Sequence, residues 1–330
     1  MRRLFRACTA SLALYGFVFC FLLDRPLSLG QLRTQLDAKL ARGAAITGPK
    51  LVILAGSNGP YSHRCETIEP ILGLQCVNAG VAVGIGLDYL FARWKPLLYP
   101  GDVVYLPLEE AQYTVGTEAS RLGPDAPIMA RHDWTALANL PLRRWVAAFF
   151  AFDLRAGVMS LIETTLVAGG FHDPRADTIG STNAWGDHVG HTAALAFASQ
   201  PVLAAMIPLH VTADRVRTGA AGRQVADFLD WARWHNVHAI GGLPTGFDDA
   251  PVPEDTLAAI RALFSAPGAA FLEPPNRNRY PRRDFFDTAD HLNEPAQIAH
   301  SVTIAKALLV LRAGAERAVA IGAAAPEPHP

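Results

Sequence analysis

Short apolar stretches of strand character alternate with helical patterns at both ends of this chain, and that alternation limits its possible folds more than any other feature. Lys50 to Leu54 reads as a strand, a helix is expected from about Ser62 to Leu72, and Gln75 to Asn78 reads as a second strand. A helix from about Leu87 to Leu98 leads through the turn signal Pro100-Gly101 into a strand over Asp102 to Leu108. The pattern resumes with a helix over Ala221 to His235, a strand over Val237 to Gly241 and a helix over Asp255 to Phe264. A strand over Ala269 to Leu272 and a last helix, His300 to Arg312, complete it. Strands separated by helices of this length imply βαβ units and a parallel sheet. Half of the 330 residues are hydrophobic, enough for one large domain with a substantial core. The formal net charge of −1 carries no polycationic signature, so nucleic acid is not an expected partner.

The N-terminus follows a different pattern. Arg2, Arg3 and Arg6 precede an uncharged run of seventeen residues, Ala7 to Leu23, followed by Asp24-Arg25-Pro26. Arginines ahead of an apolar run hold the start in the cytoplasm and send the remainder outward. The run sits at the lower limit for a spanning helix. Bulky Phe19, Phe21 and Leu22 stand where a small-x-small cleavage site would be, so an uncleaved anchor over 1–26 is preferred to a cleaved signal peptide. Residues 27–48 are then expected to form a juxtamembrane spacer with a helical stretch, Leu32 to Leu40, and residues 316–330 a flexible tail. The expected location is the bacterial periplasm, anchored to the inner membrane. In that oxidising compartment Cys65 and Cys76 are a candidate disulfide, with two buried free thiols as the alternative.

Between 111 and 200 the alternation breaks down, which marks an insertion. Arg143 to Val167 has a helical pattern rich in aromatics, but Asp153, Arg155 and Glu163 argue against a second membrane span. Residues 171–191 read as a loop. The spacing of His172, Asp173, Asp177, Asp187, His188 and His191 fits no recognised ligand motif, so a polar loop is preferred to a metal-dependent hydrolase site. No metal or other cofactor is expected.

Two segments carry chemistry. An apolar strand runs into Gly56-Ser57-Asn58, placing a hydroxyl at the carboxyl end of a sheet strand, where open α/β sheets bind ligands. Far downstream, Asp287 and Asp290 stand four and one residues before His291. Serine is a poor nucleophile unless a base takes its proton, and the base needs a third group to orient it, so these residue types together point to acyl transfer. His291 is the candidate base toward Ser57. Asp287 is the candidate orienting acid, because the adjacent side chain of Asp290 seldom faces its neighbour.

Both segments and their order resemble the SGNH (GDSL-like) hydrolase superfamily, in which the serine follows the first strand and the Asp/His pair precedes the last helix. The resemblance extends through Val77 to Gly84 and Gly101 to Glu109, covers 48–113 and 225–312, and looks closest to the membrane-anchored bacterial branch associated with O-acylation of surface polysaccharides. It implies a flavodoxin-like, three-layer α/β/α parallel sheet over 49–315 with a helical and loop insertion. The implied activity is that of a serine-dependent O-acyltransferase or esterase acting on a polysaccharide or small acyl ester, with membrane-bound acyl-supply or export proteins as partners. Gly80 sits where the family places an oxyanion-hole glycine, so the backbone amides of Ser57 and Gly80 are the expected oxyanion donors. Asn58 and Asn78 are candidate side-chain donors or, equally, turn caps. Where the family's third block carries asparagine, this chain has Glu109 and Glu110. Glu109 is a candidate for binding a sugar or supporting the histidine, with a solvated strand end as the default. That departure and the unusual acid spacing support a rival reading, a non-catalytic glycan-binding or scaffold subunit of a polysaccharide synthesis or export system.

Overall fold

The computed structural model describes residues 1–22, 27–114, 133, 135, 138, 140–142, 144–146, 154–173 and 181–323. Strands β1 (Lys50–Ile53), β2 (Gln75–Asn78), β3 (Val103–Leu106), β4 (His238–Gly242) and β6 (Ala269–Leu272) form one sheet. Its order is β2-β1-β3-β4-β6 and every pairing is parallel. This is the doubly wound order in which the chain reverses direction between β1 and β3 and opens a crevice at their carboxyl ends. Two further strands of two residues, β5 (Gly246–Phe247) and β7 (Arg279–Tyr280), pair in parallel beyond β4. They are too short to leave a periodic signal in the sequence.

Burial explains why the strands read as continuous apolar runs. Leu51 and Ile53 face a core with Ile68, Leu72, Ile304 and Leu308, whereas Val52 and Leu54 face another with Trp94, Phe228, Leu257 and Ile260. With both faces covered by helices, both sets of alternating side chains must be apolar. Helix α1 spans Arg2–Leu22 and α2 spans Leu27–Ala45. Behind Ser57 come α3 (Asn58–Ser62) and α4 (Cys65–Leu72), followed by α5 (Leu87–Trp94) and α6 (Glu110–Thr114). Helices α7 (Ala220–Trp234), α8 (Glu254–Leu263) and α9 (Glu294–Ala323) complete the two outer layers.

Several expectations need correction. The helix expected from about Ser62 to Leu72 starts at Cys65, after a break at His63 and Arg64 that separates it from the short α3, and it ends at Gly73 in the left-handed region at φ 68°. Residues 27–48 are no free spacer: α2 buries Leu36, Leu40 and the Lys39 side chain in the domain. The last helix begins at Glu294 and continues to Ala323, so the first part of the expected flexible tail is helical, and 324–330 lie outside the described residues. The helix expected over Arg143 to Val167 is described only in part, as Leu154–Ala168. Among the described residues no helix is long and apolar enough to cross a membrane.

Two contacts fix the sheet ends. Cys65 at the start of α4 and Cys76 in β2 form a disulfide with their Cα atoms 5.3 Å apart, which selects the bonded alternative. Lys50 and Asp102, at the amino ends of β1 and β3, form a fully buried ion pair at 2.7 Å. Asp102 also accepts the backbone N–H groups of Lys50 and Tyr99, at 3.0 and 2.8 Å. An apolar cavity of about 660 Å³ opens at this amino-terminal end, between Leu72, Val103, Ile240 and Leu308, away from the crevice.

Candidate active site

Ser57 lies just past β1 in the crevice, with ordinary helical dihedrals of φ −66° and ψ −23°. The turn therefore stores no strain at the serine itself. Gly80, in the loop after β2, lies directly behind it. A Cβ there would stand 2.9 Å from Gly59 Cα and 3.0 Å from Pro60 Cδ, so only glycine lets the two loops meet. Neither the Ser57 nor the Gly80 backbone amide donates a hydrogen bond to another described residue.

The carbonyl of Asp290 accepts hydrogen bonds from Ser62 Oγ at 2.7 Å and Thr245 Oγ1 at 2.8 Å, while Leu292 N–H donates to Ser62 Oγ at 3.2 Å. Ser62 thereby ties the Asp/His loop to the helix that starts behind Ser57. Within the loop, His291 Nδ1 and Asp287 Oδ1 are 2.7 Å apart. Because a carboxylate only accepts, Nδ1 carries the proton and Nε2 is left as the basic nitrogen. The imidazole stacks on Tyr61, one helical turn beyond Ser57, with ring centroids 4.1 Å apart and planes 10° off parallel. Burial, helped by the charge of Asp287, pushes the Tyr61 hydroxyl up to about 12, so the ring stays neutral.

The structure does not join Ser57 to His291 by a hydrogen bond. Ser57 Oγ instead donates to Glu109 Oε1 at 3.1 Å, and Asn58 N–H donates to the same oxygen at 2.8 Å. Glu109 is only 4% exposed, which overturns the default of a solvated strand end. Glu110 turns the other way, accepting Val211 N–H at 2.9 Å and pairing with His210 at 3.2 Å. The Asp290 carboxyl is pushed up to about 7, first by burial and then by the charge of Glu109.

The two asparagines act behind the site. Asn58 Nδ2 donates to the Pro107 carbonyl at 2.7 Å, fastening the start of α3 to the end of β3. Asn78 Nδ2 donates to the carbonyls of Gly59 and His63, both at 2.9 Å, and to Asp187 at 3.0 Å. These contacts fit turn capping and leave the Asn78 amide without a free proton for a substrate.

Sequence reasoning missed the residues that hold this geometry. Asp187, grouped there with possible metal ligands, accepts the backbone N–H groups of Cys65 and Glu66 at the start of α4. His188 and His191 pack against Tyr61, with centroids at 4.1 and 5.3 Å, and burial lowers both imidazoles to about 4. Asp177 lies outside the described residues, and among those described no group of three or more His, Cys, Asp or Glu is placed to hold a metal ion. Tyr61, Ser62 and Thr245 are common residue types, and only their spacing from Ser57 or from a strand end hints at the site.

A buried chain of polar side chains passes behind Asn58. His63 Nδ1 lies 3.3 Å from the Asn58 carbonyl, His63 Nε2 lies 3.3 Å from His300 Nε2, and His300 Nδ1 lies 2.7 Å from the Tyr280 hydroxyl. A carbonyl can only accept, so His63 Nδ1 carries the hydrogen, His300 Nε2 donates to His63, and the Tyr280 O–H donates to His300. Burial lowers His63 to about 4 and holds His300 well below its ordinary value, so both rings are neutral and the directions are fixed.

No protein-family model matches the chain, and no curated protein or solved structure matches it.

Proposed function

We propose that this protein is an SGNH-like O-acyltransferase or esterase, anchored in the inner membrane with its domain in the periplasm, acting on acyl groups of a surface or secreted polysaccharide. The observation that carries this reading is the His291–Asp287 pair at 2.7 Å, stacked on Tyr61 one turn beyond Ser57 in the crevice between β1 and β3. Asp287 fixes the tautomer and Nε2 faces the reaction as base. Ser57 Oγ attacks the acyl carbonyl, His291 takes its proton, and the amides of Ser57 and Gly80 stabilise the tetrahedral oxyanion, commonly by about 3 kcal/mol per donor. His291 then returns the proton to the leaving oxygen. The acyl-Ser57 ester passes to a sugar hydroxyl or to water. The anchor rests on Arg2, Arg3 and Arg6 ahead of the uncharged run, and the disulfide fits an oxidising compartment.

Turnover of a small acyl ester and labelling of Ser57 by an activated phosphonate test the reading together. Ser57→Ala and His291→Ala should each abolish turnover, and the double variant should be no worse than either, as expected of groups acting as a unit. Asp287→Asn should lower kcat by about 10²–10⁴-fold. One observation favours a second reading: the Ser57 hydroxyl is engaged by Glu109. A wild-type protein that binds glycan but shows neither turnover nor labelling is a scaffold subunit.

A further inference from the structure

Gly80, whose N–H is a proposed oxyanion donor, has no side chain to hold it in place. Glycine has the widest backbone freedom of any residue, so its neighbours must fix the direction of that N–H. Its carbonyl accepts a hydrogen bond from Nζ of Lys39, a residue 2% exposed and 41 positions earlier, on α2. Among the described residues the amine makes no other hydrogen bond. Burying an amine is costly unless a polar partner offsets it, and a methionine would fill a similar space without that cost. The amine therefore serves the contact and not the packing. Three features fix where it points. Leu36 and Leu40 bury one side of α2 in the core, and a Cβ on Gly43 would collide with the Trp94 ring of α5, so helix and ring meet closely. Gly186, at φ 87°, makes room for the lysine stem: a Cβ there would stand 3.0 Å from Lys39 Cγ and 3.3 Å from Cε. Arg42, three residues further along α2, donates from Nε to the Cys76 carbonyl at 2.8 Å and pairs with Glu69 at 3.1 Å. Two side chains of α2 thus grip β2 at Cys76 and the loop beyond it at Gly80.

Resting on the acyl-transfer reading of Ser57, we propose that Lys39 is the positioning residue of the oxyanion site, holding the Gly80 carbonyl so that the Gly80 N–H stays aimed at the oxygen of the tetrahedral intermediate. Lys39 touches neither substrate nor Ser57 in this role and acts only through Gly80. A protonated or a neutral amine serves, since each keeps an N–H for the carbonyl. Displacing a group at a reacting centre by about 1 Å costs about 10²-fold in rate, so loss of this hold is read in turnover. Helix α2, which follows the arginine-led helix α1, is thereby part of the catalytic unit and not a tether.

Lys39→Met keeps the stem and removes the donor. In the full-length protein in detergent, this variant should lower kcat for a small acyl ester by about tenfold or more with KM within about twofold, because only the transition state carries the oxyanion. The ¹⁵N–¹H NMR resonance of Gly80 should move with it. Arg42→Met is the control. It cuts the neighbouring grip of α2 on β2 without touching Gly80, and should leave kcat within about twofold even where the denaturant midpoint falls. A folded Lys39→Met with wild-type kcat overturns the proposal and leaves the Ser57 chemistry standing, and so does an equal loss of kcat in Arg42→Met. A wild-type protein with no turnover and no Ser57 labelling removes the acyl-transfer reading, and the oxyanion role of Lys39 falls with it. Should Lys39→Met not fold, ¹⁵N relaxation of the wild type decides: an order parameter of about 0.85 at the Gly80 N–H supports a held amide, and one below about 0.6 overturns it.

Discussion

Asn78 shows how much one side chain contributes behind the crevice. Its amide nitrogen serves three acceptors, the carbonyls of Gly59 and His63 and the carboxylate of Asp187, and its residue is fully buried. Truncation removes these buried bonds and leaves a void, although each acceptor keeps another partner, and a buried hydrogen bond is worth about 0.5–1.5 kcal/mol net, more to a charged group. Asn78→Ala should therefore destabilise by about 2–4 kcal/mol, read from the denaturant midpoint, while Asn58→Ala loses one side-chain contact and should cost less. Equal midpoints for Asn78→Ala and wild type would rule out this clamp. Asn78 was visible in the sequence as a polar residue ending a strand, but its partners were not. Asp187 comes from a distant insertion, and no local pattern links the two.

The paired strands β1 and β3 depend on their buried ion pair. Lys50 and Asp102 are both fully buried, and Asp102 satisfies the Lys50 ammonium together with two backbone N–H groups. Asp102→Ala strands a buried ammonium and should cost about 3–5 kcal/mol, whereas Lys50→Met combined with Asp102→Leu should cost clearly less than that single change. Denaturant unfolding of the three proteins checks the order, and a double variant as unstable as Asp102→Ala would refute it. The disulfide acts at the same scale. Cys65 and Cys76 are 11 residues apart, and closing a loop of that size in the unfolded chain stabilises by about 2–3 kcal/mol, which reduction or Cys65→Ser with Cys76→Ser should remove. Strand and helix positions were largely legible at this scale, because period-two burial on both faces and Pro-Gly turns write themselves into the order of residues. The break between α3 and α4 was not, since it depends on where His63 meets Asn58 and His300.

Across the whole molecule, buried imidazoles set the response to acid. His63, His188 and His191 are each lowered by burial to about 4, and His300 is lowered well below its ordinary value. Their unfolded value is about 6.5, so below that pH the unfolded chain binds more protons than the folded one. The stability they contribute is fully present above about pH 6.5 and is lost as pH falls toward about 4. Asp187 and Asp290, both raised, act in the opposite sense, but they are two groups against four. The denaturant midpoint should hold steady from about pH 8 to 7 and then drop, by at least about 2 kcal/mol at pH 4.5, with a shallower slope in His63→Gln. A midpoint independent of pH over that range would show that these rings are not buried and neutral.

The order of residues by itself determined the alternating α/β architecture, the place of Ser57 at a strand end, and the candidate partners His291 and Asp287, because periodicity and short spacing are local properties. It also singled out Cys65 and Cys76, without choosing between a bond and two thiols. Tertiary structure alone decided that they bond, that α2 is part of the domain, and that Ser62 and Thr245 hold the Asp/His loop. It also placed Glu109 rather than His291 against the serine hydroxyl. These outcomes depend on segments tens to hundreds of residues apart meeting at the carboxyl ends of β1 and β3, where burial and hydrogen-bond direction, not sequence spacing, choose the partner.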